Sequence, residues 1–219
     1  MLSFTEENYL KAIYHLSENG KLEVSTNAIA EALSTRPASV SDMLGKLGNK
    51  KVINYTKYKG VTITEKGRKL ALQVVRKHRL WEVFLVEKLK FHWDEVHEIA
   101  EQLEHIQSPV LIERLDEFLG YPAFDPHGDP IPDSNGEMKA KQKIQLADME
   151  LGKQGSVVGL KETSPVFLQY LDKIGVYIGA RVKVLERMAF DLSEEIQIDS
   201  KKTVIISNEV AKNIFVTVL

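Results

Sequence analysis

The chain has 219 residues and no cysteine, so disulfides, zinc fingers and iron–sulfur clusters are excluded, and any metal site must use imidazole and carboxylate. No apolar run approaches the roughly 18–20 residues of a spanning helix, and the opening MLSFTEEN lacks an export signal's layout, so a cytoplasmic protein with no membrane partner is expected. The net charge of −2 conceals two opposed blocks: residues 36–79 carry 12 Lys/Arg against 2 Asp/Glu, and residues 80–137 carry 3 against 14, so one block suits a polyanion and the next suits cations.

In chain order, Thr5 followed by Glu6 and Glu7 predicts the start of a helix carrying Leu10, Ile13, Tyr14 and Leu16, which stops near Gly20. A second helix begins at Ser25 or Thr26 and runs through Ile29, Ala30 and Leu33. After the short break Ser34–Arg36, Pro37 opens a third, with Val40, Met43, Leu44 and Leu47 at three- and four-residue spacings. Two helices joined so tightly read as a helix-turn-helix. Val52–Thr56 and Gly60–Thr64 flank Lys57-Tyr58-Lys59-Gly60, a hairpin with a basic tip, which makes the motif winged. Thr64 caps a long helix through Val86, its first turn weakened by Gly67.

Further helices are expected over Asp94–Ile106 and Pro109–Leu119, then an irregular Pro-, Gly- and Asp-rich loop from Gly120 to Gly136, then a polar linker over residues 137–147. Val157–Leu160, Arg181–Leu185, Glu195–Asp199, Val204–Ile206 and Phe215–Leu219 are short β runs spaced as in a small barrel. Among them, Thr163 or Ser164 starts one helix and Ser207 caps another. The predicted fold class is mainly α with a β-barrel appendage.

A recognition helix presents its N-terminal side chains to base edges while basic groups nearby hold phosphates. The candidates are Arg36, Pro37, Ala38, Ser39, Ser41 and Asp42, with Lys46, Lys50, Lys57 and Lys59 for phosphate. Such helix spacing arises readily in ordinary helical hairpins; the hairpin that follows and the excess of basic charge distinguish this one. Asp42 sits awkwardly, since an acid facing DNA must accept from a cytosine amino group or point away.

The acidic block adds a second pattern. His78 and Glu82 lie four apart on the long helix, and His97, Glu101 and His105 lie at successive four-residue steps on the next, with Glu104 beside them. Taken singly, each is an ordinary surface acid or a hydrogen-bonded histidine. Two antiparallel helices carrying all of them can converge on a cation, and mixed nitrogen and oxygen ligands suit manganese, iron, cobalt or zinc over calcium or magnesium. His15 and His92 read as structural, whereas spacing leaves Asp125 and His127 undecided.

EENYLKAIYHL, IAEAL with RPASVSDMLGKL, ITEKGRKLA with RKHRLWE, VHEIAEQLEHI and DPHGDPIP together make the chain similar to the diphtheria toxin repressor and manganese transport regulator family of metal-dependent repressors. The resemblance covers essentially the whole chain. It implies a winged helix-turn-helix domain (1–72), a helical metal-binding and dimerisation domain (73–140) and an SH3-like, FeoA-like domain (150–219). It also implies a homodimer on double-stranded operator DNA. Carried over by position, His78, Glu82 and His97 match one metal site, and Glu101, Glu104 and His105 match a second that couples to the first helix. Asp125 stands where some members have cysteine or serine, and Glu162 falls near the barrel's oxygen ligand.

Departures from the family pattern are Asn8, where manganese-type members have aspartate, Lys11, where some place an acid, and Glu101, in place of a cysteine. The harder carboxylate favours Mn2+, with Fe2+ as the alternative and Zn2+ or Co2+ as substitutes in vitro. The expected role is a metal-activated repressor of manganese or iron uptake genes and not an enzyme. Two other readings share these residues: a winged-helix regulator sensing a small organic ligand, and a metal-dependent hydrolase, for which no nucleophile motif or glycine loop is present.

Overall fold

The computed structural model describes residues 2–56, 60–92, 95–138, 143–162 and 164–218. The chain divides into two units, one of residues 1–78, 101–109 and 132–137, the other of residues 79–100, 110–131 and 138–219.

In the first unit, α1 (Phe4–Leu16) opens with a capping box: the Ser3 hydroxyl accepts from the Glu6 amide while the Glu6 carboxylate accepts from the Ser3 amide. The cap therefore lies two residues before Thr5, because the Ser3–Glu6 spacing satisfies two orphan donors at once. Ser25 caps α2 (Thr26–Ala32), and α3 (Pro37–Asn49) begins with its proline where no amide is needed. Strands β1 (Ile53–Thr56) and β2 (Gly60–Ile63) pair antiparallel from Ile53 opposite Ile63 to Thr56 opposite Gly60. Leu10, Ile13, Ile29, Leu44, Leu47 and Leu72 are fully buried side chains of this unit.

Helix α4 (Glu65–Glu87) starts where expected, with the Thr64 hydroxyl accepting from the Gly67 amide. Gly67 has a packing reason that periodicity alone misses. A β-carbon there would sit 1.9 Å from the Val52 carbonyl oxygen, so only glycine lets the helix approach the backbone just before β1 so closely.

Helix α5 is shorter than expected. It spans Val96–Leu103, and Glu104 and His105 occupy a turn beyond it, closed by the Ile106 amide donating to the Leu103 carbonyl at 3.1 Å. That three-residue bond tightens the helix end, which takes His105 off the regular four-residue series of His97 and Glu101. The expected start at Asp94 lies outside the described residues. Helix α6 (Pro109–Phe118) matches its expected bounds closely.

The second unit contains a six-stranded antiparallel sheet in the order β3-β8-β4-β5-β6-β7. Its strands are β3 (Ile144–Gln145), β4 (Gln154–Leu160), β5 (Arg181–Arg187), β6 (Glu194–Ile198), β7 (Lys202–Ile206) and β8 (Ile214–Val218). Strand β3 and the 3-10 turn Leu146–Asp148 overlap the stretch read as a linker. Ile144 there pairs with Val216, and the flanking polar residues mask a strand only two residues long. Helices α7 (Pro165–Ile174) and α8 (Asn208–Lys212) belong to this unit, and Leu146, Leu171, Val182, Val184, Ile196 and Val216 are among its fully buried core residues.

Candidate metal centre and nucleic-acid interface

In the first unit, α3 buries Val40, Leu44 and Leu47 and leaves Arg36, Pro37, Ala38, Ser39, Asp42 and Lys46 exposed. The apolar positions hold the helix to its neighbours, so its N-terminal turn faces outward. Two sequence candidates are partly engaged: the Ser41 hydroxyl donates to the Pro37 carbonyl, and the Lys50 ammonium lies 2.7 Å from Glu6. Lys57 and Lys59 lie outside the described residues. Next to Gly60, Val61 of β2 is bridged to Val24.

The same unit gathers a buried polar cluster. Glu104 is fully buried, and its carboxylate receives His78 Nδ1 at 2.6 Å and the Lys11 ammonium at 2.8 Å on each oxygen. Burial pushes the Glu104 carboxyl up, but the hydrogen bonds from His78 and Lys11 outweigh it and hold the group below its ordinary range. His105 Nδ1 lies 2.7 Å from Glu7, while its Nε2 is 3.8 Å from the other oxygen of Glu104. Phe4 stacks on the His105 ring at 5.0 Å. Lys77, its charge disfavoured by burial, sits 3.8 Å from Glu7.

This arrangement orients two imidazoles. A carboxylate on Nδ1 fixes the tautomer that leaves Nε2 unprotonated and able to ligate a metal. Glu104 does this for His78, and Glu7 for His105. Sequence reasoning overlooked Glu7, whose only signal is its place one residue before the family's ligand position. Asn8, expected to reach the cluster, is exposed; Phe4, Glu7 and Lys11 are α1 side chains that meet it. Glu101 is 52 % exposed and lies 3.5 Å from Lys11.

In the second unit, Glu82, one turn beyond His78 along α4, is 2 % exposed. Its oxygens lie 3.5 Å from His97 Nδ1 and 3.6 Å from His127 Nδ1. Glu82, Asp125 and His127 offer ligand atoms all within 4.8 Å of one another. These are ion-pair distances, and ligand atoms so placed can surround an ion about 2.0–2.2 Å from each. His127, which spacing left undecided, is thus brought to Glu82. Glu162 is not a member of this group: it is exposed and accepts from the Ser164 amide, ahead of α7.

The loop that delivers His127 is built around Asp125. One Asp125 oxygen accepts the His127 and Asp129 amides at 2.9 Å each, and the other lies 3.3 Å from Arg79. Arg79 also reaches Asp129 and donates to the Pro130 carbonyl. Gly128, with φ of +83°, lies against Gly159 of β4, and the Leu160 amide donates to the His127 carbonyl. Burial first, and then the neighbouring Glu82 charge, push the Asp125 carboxyl up to about 6. Two buried carboxylates this close repel, which a bound cation relieves.

Family models match almost the whole chain: the iron dependent repressor N-terminal DNA binding domain over residues 1–61, its metal binding and dimerisation domain over 64–133, and the FeoA domain over 144–218. The iron-dependent repressor IdeR of Mycobacterium tuberculosis is 38 % identical over 128 residues, 58 % of this chain, which spans about half (55 %) of that relative's length. The diphtheria toxin repressor of Corynebacterium glutamicum is 32 % identical over 192 residues, 83 % of each chain. A solved manganese-dependent transcriptional repressor in complex with manganese is 37 % identical, with 98 % of this chain and all of that one covered at a TM-score of 0.70. In sequence and fold alike, this chain belongs to the iron-dependent repressor family.

Proposed function

We propose that the protein is a metal-activated repressor that binds operator DNA as a homodimer through α3 and the β1–β2 wing when a divalent transition metal is bound. The observation that carries this reading is the gathering of buried Glu82 and Asp125 with partly buried His127, with His97 against the same Glu82 carboxylate. His78, one helical turn before Glu82 and oriented by Glu104, adds a nitrogen ligand. The set is rich in carboxylate and free of thiolate, which favours Mn2+, with Fe2+ the alternative.

A second ion position involves Glu104 and His105, whose facing atoms are 3.8 Å apart, with Glu101 at its margin. Since Glu7 of α1 holds the His105 ring through Nδ1, an ion on His105 ties α1 to the 101–109 segment through that pair. Metal then favours the arrangement in which two recognition helices of a dimer meet half-sites about one DNA turn apart. Arg36, Pro37, Ala38, Ser39, Ser41 and Asp42 face the bases in this reading, and Lys46, Lys50, Lys57 and Lys59 the phosphates. The protein acts by binding, with no turnover.

The test is operator binding by fluorescence anisotropy at buffered free Mn2+, Fe2+, Zn2+ and Co2+. The expected result is affinity that rises with metal and is lost in Glu82→Ala and His105→Ala while circular dichroism stays unchanged. Equal DNA binding with chelator and with metal would refute it.

A further inference from the structure

Most members of the buried cluster have an evident part in orienting or ligating; Lys11 does not. Its side chain is 15 % exposed, and its ammonium rests on both oxygens of Glu104 at 2.8 Å and near Glu101 at 3.5 Å. A carboxylate offers about four lone-pair positions. Three of those on Glu104 are taken, two by Lys11 and one by His78.

A divalent ion between His105 Nε2 and Glu104 needs the oxygen on that side, Oε1, which is one of the two that Lys11 holds. Lysine is a compact point charge on a flexible stem, able to stand in a cation's place and to withdraw from it.

From this geometry we infer that Lys11 is a tethered cation that competes with a divalent ion for Glu104, clamping α1 to the 101–109 segment in metal-free protein and setting the concentration at which the second ion enters. The inference rests on the metal-activated reading and adds to it a residue that holds the threshold. Ion entry becomes an exchange, with one positive charge leaving the carboxylate as two arrive. The displaced ammonium keeps Glu101, half-exposed at the margin, as an acidic neighbour.

The experiment titrates MnCl2 into metal-stripped full-length protein by calorimetry, for wild type, Lys11→Met, Lys11→Arg and Glu82→Ala, with thermal melts of each metal-free form. Wild type is expected to show a tighter class of site, absent in Glu82→Ala, and a weaker one. In Lys11→Met the weaker class tightens about tenfold or more while the tighter class is unchanged, and the metal-free melt falls. Lys11→Arg keeps both affinities near wild type.

A lysine of purely structural use would lower the melt and leave both affinities alone, and that result would overturn the inference, as would a weaker class that loosens in Lys11→Met. If the tighter class persists in Glu82→Ala while Lys11→Met still gains affinity, the assignment of the Glu82 centre fails and the role of Lys11 stands.

Discussion

Gly128→Ala tests whether the loop carrying Asp125 and His127 is held in place by β4. A β-carbon at Gly128 would fall 1.8 Å from Gly159 Cα, 2.1 Å from the Val158 oxygen and 2.5 Å from the Gly159 nitrogen. All three are backbone atoms that no rotamer change can move. Restoring ordinary van der Waals contact requires the two segments to part by about 1.5 Å, which breaks the long Leu160-to-His127 hydrogen bond and draws His127 away from Glu82. The positive φ adds about 1 kcal/mol for any residue with a β-carbon.

Gly120 supplies the control, having φ of +74° with nothing within 4 Å of a built β-carbon. Gly120→Ala should therefore cost only the backbone strain, about 1 kcal/mol, and leave metal affinity untouched. Gly128→Ala should cost about 3 kcal/mol or more, or lift the loop and weaken Mn2+ binding at the Glu82 centre about tenfold to a hundredfold. Denaturant melts and calorimetry on the two variants decide it. Equal stability and equal Mn2+ affinity in both would refute the idea that the Gly128–Gly159 contact positions the ligand loop.

Glu7→Gln should weaken Mn2+ at the His105 site by about ten- to a hundredfold without affecting the Glu82 class in calorimetry, because Glu7 acts by fixing the His105 ring. Arg187 pairs with Glu194, whose side chain is fully buried and whose second oxygen lacks a hydrogen-bond partner. Arg187→Ala should therefore destabilise the protein by about 3–5 kcal/mol, with Glu194→Gln recovering much of the loss. Burial holds the Glu194 carboxyl above its ordinary value; stability linked to it is present below the unfolded pKa and declines as pH rises through the folded one. The melting deficit of Arg187→Ala should accordingly shrink on acidification. Operator affinity should fall steeply with salt, and Lys46→Ala should reduce the slope of log affinity against log salt by about one.

The helix-turn-helix, the wing and most of the strands were legible because each rests on local signals: Pro37 at a first helical position, Ser25 and Ser207 as caps, β-branched runs around a basic turn. The features missed were set by contacts distant in sequence. Gly67 reads as a flaw in a helix until the Val52 carbonyl is seen against it. The two-residue strand β3 is invisible without Val216 to pair with. Likewise, His78 and Glu82 stood out by their four-residue spacing and the resemblance added His97, whereas His127 needed a loop whose shape depends on Arg79 and on Gly159.

The end of α5 has the greatest consequence for the site. A continuous helix through Ile106 would send His97, Glu101 and His105 out on one face as equivalent ligands. Ending it at Leu103 gives them different partners: His97 meets Glu82, whereas Glu104 and His105 meet α1. Glu104 thereby acquires two tasks, as it fixes the His78 tautomer through one oxygen and accepts Lys11 on both. Glu104→Gln, which keeps the shape and removes the charge, should therefore weaken the His105 class of site about tenfold or more in calorimetry and leave Lys11 without its buried counter-ion, and an unchanged weaker class would show that Glu104 is no ligand.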